Sequence, residues 1–380
     1  MAETTYSIVS YGRMLADRTR LEPYARALEA LVRPGSVVLD IGTGTGFFAL
    51  LAARLGARKV YGIDPTDLIR TARELAAENG VADRVEFIQD VSTRVSLPEP
   101  ADVIVSDLRG ILPPLQGIVA TLADARARLL APGGALVPRA DVLMAAPLEA
   151  AALWEDVAGP GEVMGITLRA ARRTAVNQWL RDVFEPGQML GEAREWARMD
   201  YRTATTPDVA GGAEWTAARG GTAHGLGVWF RAELADGIGF DTGPGNTSIY
   251  QTAFFPFPEP VALAAGDRVR AELQARLLGG EYLWSWNTTL ERAGGPPLSF
   301  RQSTFFASPP SLDRLRKRAD AFVPRLGEDG RIAAFVLSRM DGGATTGQIA
   351  REVMERFPGR FEGWEAALAR VGTFSEQFAE

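Results

Sequence analysis

The chain has 380 residues, 46% of them hydrophobic and 23% charged, with a formal net charge of -6. That length points to two or three domains with enough apolar material for sizeable cores, and the acidic balance argues against a broad nucleic-acid footprint, which needs a basic face. The sequence holds no cysteine and one histidine, His224. Disulfides, thiol nucleophiles and the usual His/Cys zinc sites therefore lack ligands, no metal is expected, and proton transfer falls to carboxylates, tyrosines or solvent. Met1–Ser10 lacks the charged start and apolar run of a signal peptide, and no apolar run is long enough to span a bilayer, so a cytoplasmic, membrane-free protein is expected.

In chain order, Ser36–Ile41 is a short β-branched run that stops at glycines, the pattern of a buried parallel strand. Gly42-Thr43-Gly44-Thr45-Gly46 follows, then helical content over Phe47–Leu55. Lys59–Ile63 is a second strand ending at Asp64, and Leu68–Glu78 a helix closed by Asn79-Gly80. Val85–Ile88 is a third strand ending near Asp90, Ala101–Ser106 a fourth, and Leu115–Leu130 a helix closed by Ala131-Pro132-Gly133-Gly134. This alternation predicts an α/β, doubly wound Rossmann-like domain with a parallel sheet. Ala140–Pro147 opens a second, β-rich domain. Ala150–Tyr201, rich in alanine, arginine and tryptophan, reads as helices. Ala223–Leu234 and Thr252–Leu278 carry strand-like runs with turns at Gly243-Pro244-Gly245 and Ala265-Gly266-Asp267. His224, beside glycines at a strand start, reads as structural. After the linker Ser308-Pro309-Pro310-Ser311, helices are expected over Ile332–Met340, over Gln348–Phe357 with Thr345 or Thr346 as its cap, and from Trp364 onward.

The glycines decide between cofactor classes. Dinucleotide folds space them Gly-x-Gly-x-x-Gly so that backbone amides hold a pyrophosphate. Here Gly42, Gly44 and Gly46 are spaced Gly-x-Gly-x-Gly directly after Asp40. S-adenosyl-L-methionine has no phosphate but has an amino group, a carboxylate, a sulfonium and a ribose. An acid at the first strand end attracts the amino group, and glycines admit the backbone close to the sulfonium. Asp64 is placed for the ribose hydroxyl pair, and Asp90 with the Val91 backbone for the adenine edge. A plain loop-capping role is the alternative for Asp40 and Asp90. Three acids at three successive strand ends favour S-adenosyl-L-methionine, with S-adenosyl-L-homocysteine as product.

Several stretches resemble the protein arginine methyltransferases. They are Met14-Leu15-Ala16-Asp17-Arg18-Thr19-Arg20 with Tyr24, Val38–Gly46, Val60-Tyr61-Gly62-Ile63-Asp64, Leu130-Ala131-Pro132-Gly133-Gly134, Ile238-Gly239-Phe240-Asp241-Thr242 and Gln251-Thr252-Ala253-Phe254-Phe255. The resemblance covers about residues 6–305, with 150–205 matching poorly. It implies a methyltransferase domain with N-terminal lid helices (1–138), then a β-barrel substrate domain (139–307) with a helical dimerisation arm near 150–205, and hence a homodimer. It implies that Arg20 pairs with the cofactor carboxylate and that Tyr11 and Met14 line the lid.

The acceptor loop departs from that family's pattern. Where the family has two glutamates that grip a guanidinium, this chain has Asp107 and the neutral Gln116, with Arg109 between them. Of the family's Thr-His-Trp loop, only the threonine of Thr247-Ser248-Ile249 remains. Asp107, Arg109 and Gln116 are the candidate catalytic residues. Asp107 would orient an N–H or accept its proton, Gln116 offers a donor and an acceptor to an amide, and Arg109 would hold a carboxylate nucleophile or serve as a structural ion pair.

The string Met340–Ala350 resembles the helical part of PqqD-like peptide-recognition domains, which implies a small winged-helix-like domain (312–380) that binds a leader peptide by strand addition. The expectation is methyl transfer to a side chain, nitrogen before oxygen, of a peptide or protein, including a ribosomally made natural-product precursor. A small-molecule N- or O-methyltransferase acting on a free amino acid or carboxylate, and a non-catalytic cofactor-binding scaffold, are the alternatives.

Overall fold

The computed structural model describes residues 8–115, 117–308 and 311–379. Two helices come first, α1 (Ile8–Ala16) and α2 (Arg18–Leu31). Asp17 caps α2, its carboxylate accepting from Arg20 N. The first layer then alternates β1 (Val37–Ile41), α3 (Phe47–Arg54), β2 (Lys59–Ile63), α4 (Leu68–Glu78), β3 (Val85–Ile88), β4 (Ala101–Ser106), α5 (Ile118–Arg128) and β5 (Leu130–Val137). The strands form one sheet in the order β3-β2-β1-β4-β5, all pairs parallel. β1 is buried along its whole length, as a strand covered on both faces must be. The order reverses between β1 and β4, and ligands of open α/β sheets bind beyond the carboxyl ends of the strands at such a point. Asp40 and Asp107 lie at those two ends.

Two expectations are corrected in this layer. The helix expected from Leu115 starts at Ile118, because Gly117 precedes it with φ +50 and breaks the helical run. Leu130–Val137 is a strand although Ala131-Pro132-Gly133-Gly134 reads as a turn. It is the edge strand of the sheet, and its register jumps from Leu130 to Ala135 across the Pro-Gly-Gly segment. An edge position tolerates the missing proline donor.

The second layer contains β6 (Ala140–Leu148), α6 (Ala151–Ala158), β7 (Glu162–Val163), β8 (Ile166–Thr167), α7 (Arg169–Ala175), β9 (Leu180–Asp182), β10 (Arg194–Asp200), β11 (Val209–Thr216), β12 (Gly221–Ala235), β13 (Ile238–Asp241), β14 (Thr252–Leu263), β15 (Arg268–Leu278), β16 (Glu281–Glu291) and β17 (Leu298–Ser303). The expected barrel resolves into two antiparallel sheets, β10-β6-β12-β14-β9 with β13 on β12, and β11-β15-β16-β17. Their inner faces meet through aromatic rings: Phe255 packs edge-on against Trp284 and Trp286, and Trp196 against Trp284. Such pairs add about 0.5–1.5 kcal/mol each beyond area burial. Residues 150–201 are only partly helical. α6 and α7 flank a short hairpin whose tip, Met164, is 96% exposed, and β10 pairs with β6. Helical composition in that stretch yields to strand pairing on an existing sheet. His224 falls where the β12–β14 register shifts, and its Nδ1 accepts from Ala150 N at 3.2 Å. Burial lowers its pKa, as a structural histidine in an apolar setting requires.

Contacts divide the chain after residue 309. The second unit contains α8 (Leu312–Lys317), α9 (Glu328–Ser338), α10 (Thr346–Arg356) and α11 (Trp364–Phe378). Ile332, Val336, Ile349, Val353, Ala367 and Val371 form its core. Thr345 and Gln348 make a reciprocal capping box on α10. No strand occurs among its described residues, so the wing expected of a winged helix has no counterpart among them. Among the described residues of the whole chain, no helix is long and apolar enough to cross a membrane.

Candidate active site

The glycine loop leaves β1 in a conformation that suits glycine alone. Gly42, Gly44 and Gly46 have φ of +72, +53 and +85. The loop is bracketed closely from both sides. A Cβ on Gly44 would stand 2.2 Å from the Tyr11 ring, and one on Gly42 would stand 2.4 Å from Leu108 of the acceptor loop. Tyr11 thus lies against the loop, and the Met14 carbonyl accepts from Arg20 Nη1 at 3.2 Å.

Asp64 is buried at the end of β2. It accepts from Gly44 N at 2.9 Å, Thr66 N at 2.9 Å and Thr66 Oγ1 at 2.6 Å. A carboxylate offers about four lone-pair sites, so capacity for one further hydroxyl donor remains. Asp40 Oδ2 accepts from Thr43 Oγ1 at 2.6 Å and Ala49 N at 3.1 Å. It forms no ion pair among the described residues, and burial pushes its pKa up to about 7. A buried acid without a paired cation is suited to an ammonium ligand. The donor half therefore fits S-adenosylmethionine on its own geometry. Asp90 is arranged differently from the other two acids. Its Oδ1 receives both Val91 N at 2.6 Å and the Arg94 guanidinium, so the Val91 N–H expected at an adenine edge is donated within the loop.

The candidate acceptor half is a buried network that joins the N-terminal helices, the first sheet and the second layer. Arg20 Nε donates to Asp107 Oδ2. Tyr250 OH donates to Asp107 at 2.8 and 2.7 Å. Arg109 Nε reaches Asp107 Oδ1 at 3.1 Å, Nη1 reaches Asp141 Oδ1 at 2.8 Å, and Nη2 donates to Tyr24 OH. Tyr201 OH donates to Asp141 Oδ2 at 2.7 Å, and Tyr24 OH to Ser106 O at 2.9 Å. The Arg109 guanidinium also lies 5.3–5.9 Å from the ring centres of Phe230, Phe240, Tyr24 and Tyr250, within cation–π range. Burial alone would raise the Asp107 pKa, but Arg20, Arg109 and the Tyr250 hydroxyl hold it down at about 2. Burial raises the Asp141 carboxyl against the pull of Arg109 and Tyr201.

The network bears on three residues singled out in the sequence. Arg20 already has a carboxylate partner inside the protein. Arg109 is a buried structural cation, its side chain 2% exposed, and does not offer itself to a substrate carboxylate. Asp107, 3% exposed, has its lone pairs taken and is no free base. Gln116 lies outside the described residues. The sequence reading missed Tyr250, Asp141, Tyr201 and the second role of Asp17, whose Oδ2 accepts from Ile249 N at 2.8 Å and ties the start of α2 to the loop before β14. Asp141 carried a legible mark, being the one charged residue in the apolar run Ala140–Leu148.

Between these halves runs a cleft of about 1300 Å³. It extends from Pro65 and Thr66, beside Asp64, past Met14, Leu108 and Tyr250 to Trp179 and Arg181 on the second layer.

Comparison with known proteins agrees with this geometry. Residues 24–138 match the family model described as ribosomal protein L11 methyltransferase (PrmA). The chain is 33% identical over 230 residues to protein arginine N-methyltransferase PRMT10 of Oryza sativa subsp. japonica, covering 54% of this chain and 60% of that protein. It is 29% identical over 284 residues to protein arginine N-methyltransferase 1 of Schizosaccharomyces pombe, covering 72% and 83%. The chain thus spans about 60% of the rice relative's length. Among solved structures, the Trypanosoma brucei PRMT1 enzyme-prozyme heterotetrameric complex with AdoHcy is similar, with a TM-score of 0.70 and 24% identity over 77% of this chain and 97% of that one. So is Arabidopsis thaliana protein arginine methyltransferase 10, with a TM-score of 0.68 and 23% identity over 78% and 97%. At those identities the likeness is one of fold. By fold and by relatives, the chain is similar to the S-adenosylmethionine-dependent methyltransferases. Its Rossmann-like core followed by a mostly antiparallel sheet domain resembles the architecture of the protein arginine methyltransferases.

Proposed function

We propose that the chain is an S-adenosylmethionine-dependent methyltransferase that modifies a side chain of a peptide or protein. The observation that carries this reading is the donor half: a left-handed glycine loop at the sheet's switch point, with the uncompensated Asp40 and the spare acceptor capacity of Asp64 at adjacent strand ends. Asp40 would face the amino group, Asp64 the ribose, and Tyr11 and Met14 the outer side. Arg20 would share its fork between Asp107 and the cofactor carboxylate, which suits a guanidinium. The bound donor supplies a methyl group already activated by its sulfonium. The chain's task is then to align the nucleophile and exclude water, and such orientation is worth about 7–11 kcal/mol.

The peptide or protein class rests on the relatives' names and on the cleft, whose volume exceeds the ~300–1,000 Å³ typical of a small-molecule pocket. Nitrogen and oxygen acceptors both fall within this reading, as does a ribosomally made natural-product precursor held by the separate helical unit. A homodimer joined through the exposed Met164 hairpin belongs to it by family likeness. A non-catalytic scaffold is the second reading, favoured by one observation: Asp107 is fully engaged by Arg20, Arg109 and Tyr250. Full-length chain incubated with methyl-labelled S-adenosylmethionine and a peptide panel separates the two. Label in any peptide supports the enzyme, and cofactor binding with no label in any peptide, protein extract or small acid supports the scaffold.

A further inference from the structure

We infer that the methyl acceptor is a carboxylate oxygen, an aspartate or glutamate side chain, rather than a nitrogen. This rests on the methyltransferase reading above and narrows its substrate. The argument begins with what lines the cleft. Among the described lining residues there is no aspartate, glutamate or histidine, and the freely exposed charges are two arginines, Arg13 on α1 and Arg181 on β9. Neither forms an ion pair among the described residues. The remaining walls are apolar or neutral, including Leu108, Leu112, Ile249 and Trp179.

Each nitrogen acceptor conflicts with that lining. A guanidinium or an ammonium would enter a cleft bearing two like charges and find no carboxylate among the described lining residues. Asp107, which would grip it, is 3% exposed, does not line the cleft and is already bonded to two guanidinium groups and a phenol. An amide nitrogen or a hydroxyl must lose a proton as it attacks. Asp107 is held too acidic to take one, and burial beside Asp107 pushes the Tyr250 phenol upward, away from the neutral range. Asp40 does not line this cleft.

A carboxylate meets none of these obstacles. It is already ionised, and Arg13 and Arg181 attract it. Its oxygen forms a bond to the methyl carbon as the carbon–sulfur bond breaks, and that electron pair stays on sulfur. The negative charge of the acceptor and the positive charge of the sulfonium cancel, the products are an ester and a neutral thioether, and no proton is left to remove. The neutral residue Gln116, where the resemblance expects a second glutamate, is consistent with the same acceptor.

The test uses the full chain and blocked hexapeptides of alanine and glycine carrying one central Asp, Glu, Gln, Lys or Arg. Calorimetric binding of S-adenosylhomocysteine comes first, and its failure sinks the methyltransferase reading rather than the acceptor. With the product bound, the Glu peptide is expected to bind at least tenfold more tightly than the Lys and Arg peptides. With labelled donor, label is expected in the Asp or Glu peptide and to be released as methanol by mild base, as an ester requires. Arg181→Gln is expected to raise KM for the acidic peptide at least fivefold while leaving S-adenosylhomocysteine affinity within twofold, and Arg13→Gln serves as a second variant. Base-stable label in the Gln, Lys or Arg peptide overturns the inference. So does absence of transfer to both acidic peptides by a chain that binds S-adenosylhomocysteine.

Discussion

Replacing Arg109 by methionine isolates the buried network. The guanidinium makes three bonds, to Asp107, Asp141 and Tyr24, with four aromatic rings around it. Asp107 keeps Arg20 and Tyr250 after the change, but Asp141 keeps only Tyr201. Breaking a buried pair from one side costs about 3–5 kcal/mol because the other charge stays buried and uncompensated. With an unfolding entropy of about 2.1 cal/mol/K per residue, a unit of roughly 300 residues loses about 5–8 °C of Tm for that cost. The loss should depend on pH. In the variant, native Asp141 holds its proton to a higher pH than the unfolded chain does, so stability from this group falls as pH rises above about 4. The Tm difference from wild type should therefore be larger at pH 8 than at pH 5. Adding Asp141→Asn removes the orphaned charge and should recover more than half of the loss. Scanning calorimetry of the three proteins at both pH values is the assay. A Tm change under about 2 °C at pH 8, or no recovery in the double variant, would refute the claim that Arg109 is a structural cation.

Asp40 makes a second pH prediction. Its native pKa of about 7 exceeds the ordinary value, so a ligand cation favours the ionised form. S-adenosylhomocysteine affinity should rise about tenfold per pH unit toward pH 7 and level off above it, and Asp40→Asn should flatten that profile. A flat profile in wild type would remove the amino-group assignment. Gly44→Ala should cost about 1–2 kcal/mol from its left-handed φ alone and should push Tyr11 off the loop. Limited proteolysis should then cut within Ile8–Ala16 faster than in wild type, and an unchanged rate would mean that Tyr11 does not seat there. Thr345→Ala removes the α10 cap and should cost the helical unit about 1 kcal/mol in urea unfolding, with no change in cofactor affinity.

The donor half was legible because its chemistry sits at strand ends within one contiguous stretch. Asp40, the three glycines and Asp64 need only the local order strand, loop, helix, strand to come together. The acceptor half was not legible in the same way. Arg20, Asp107, Arg109, Asp141, Tyr201 and Tyr250 converge from five separate segments, and no spacing rule links them. The departures at Arg109 and Gln116 were visible, but whether Arg109 faced substrate or protein depended on Asp141, Phe230 and Phe240 lying behind it. Element boundaries failed where tertiary pairing overrides composition. β5 runs through Pro132 because it is an edge strand, and β10 forms in an alanine- and arginine-rich stretch because β6 offers it a partner.

Titration of S-adenosylhomocysteine into the full chain and into Asp64→Ala is the most direct measurement. A buried, charge-assisted hydroxyl contact is worth roughly 1.5–3 kcal/mol. Wild type is predicted to bind at a single saturable site, and the variant about ten- to hundredfold more weakly. Absence of binding to the wild-type chain, or equal affinity in both proteins, would contradict the methyl-donor site at Asp40–Gly46 and Asp64.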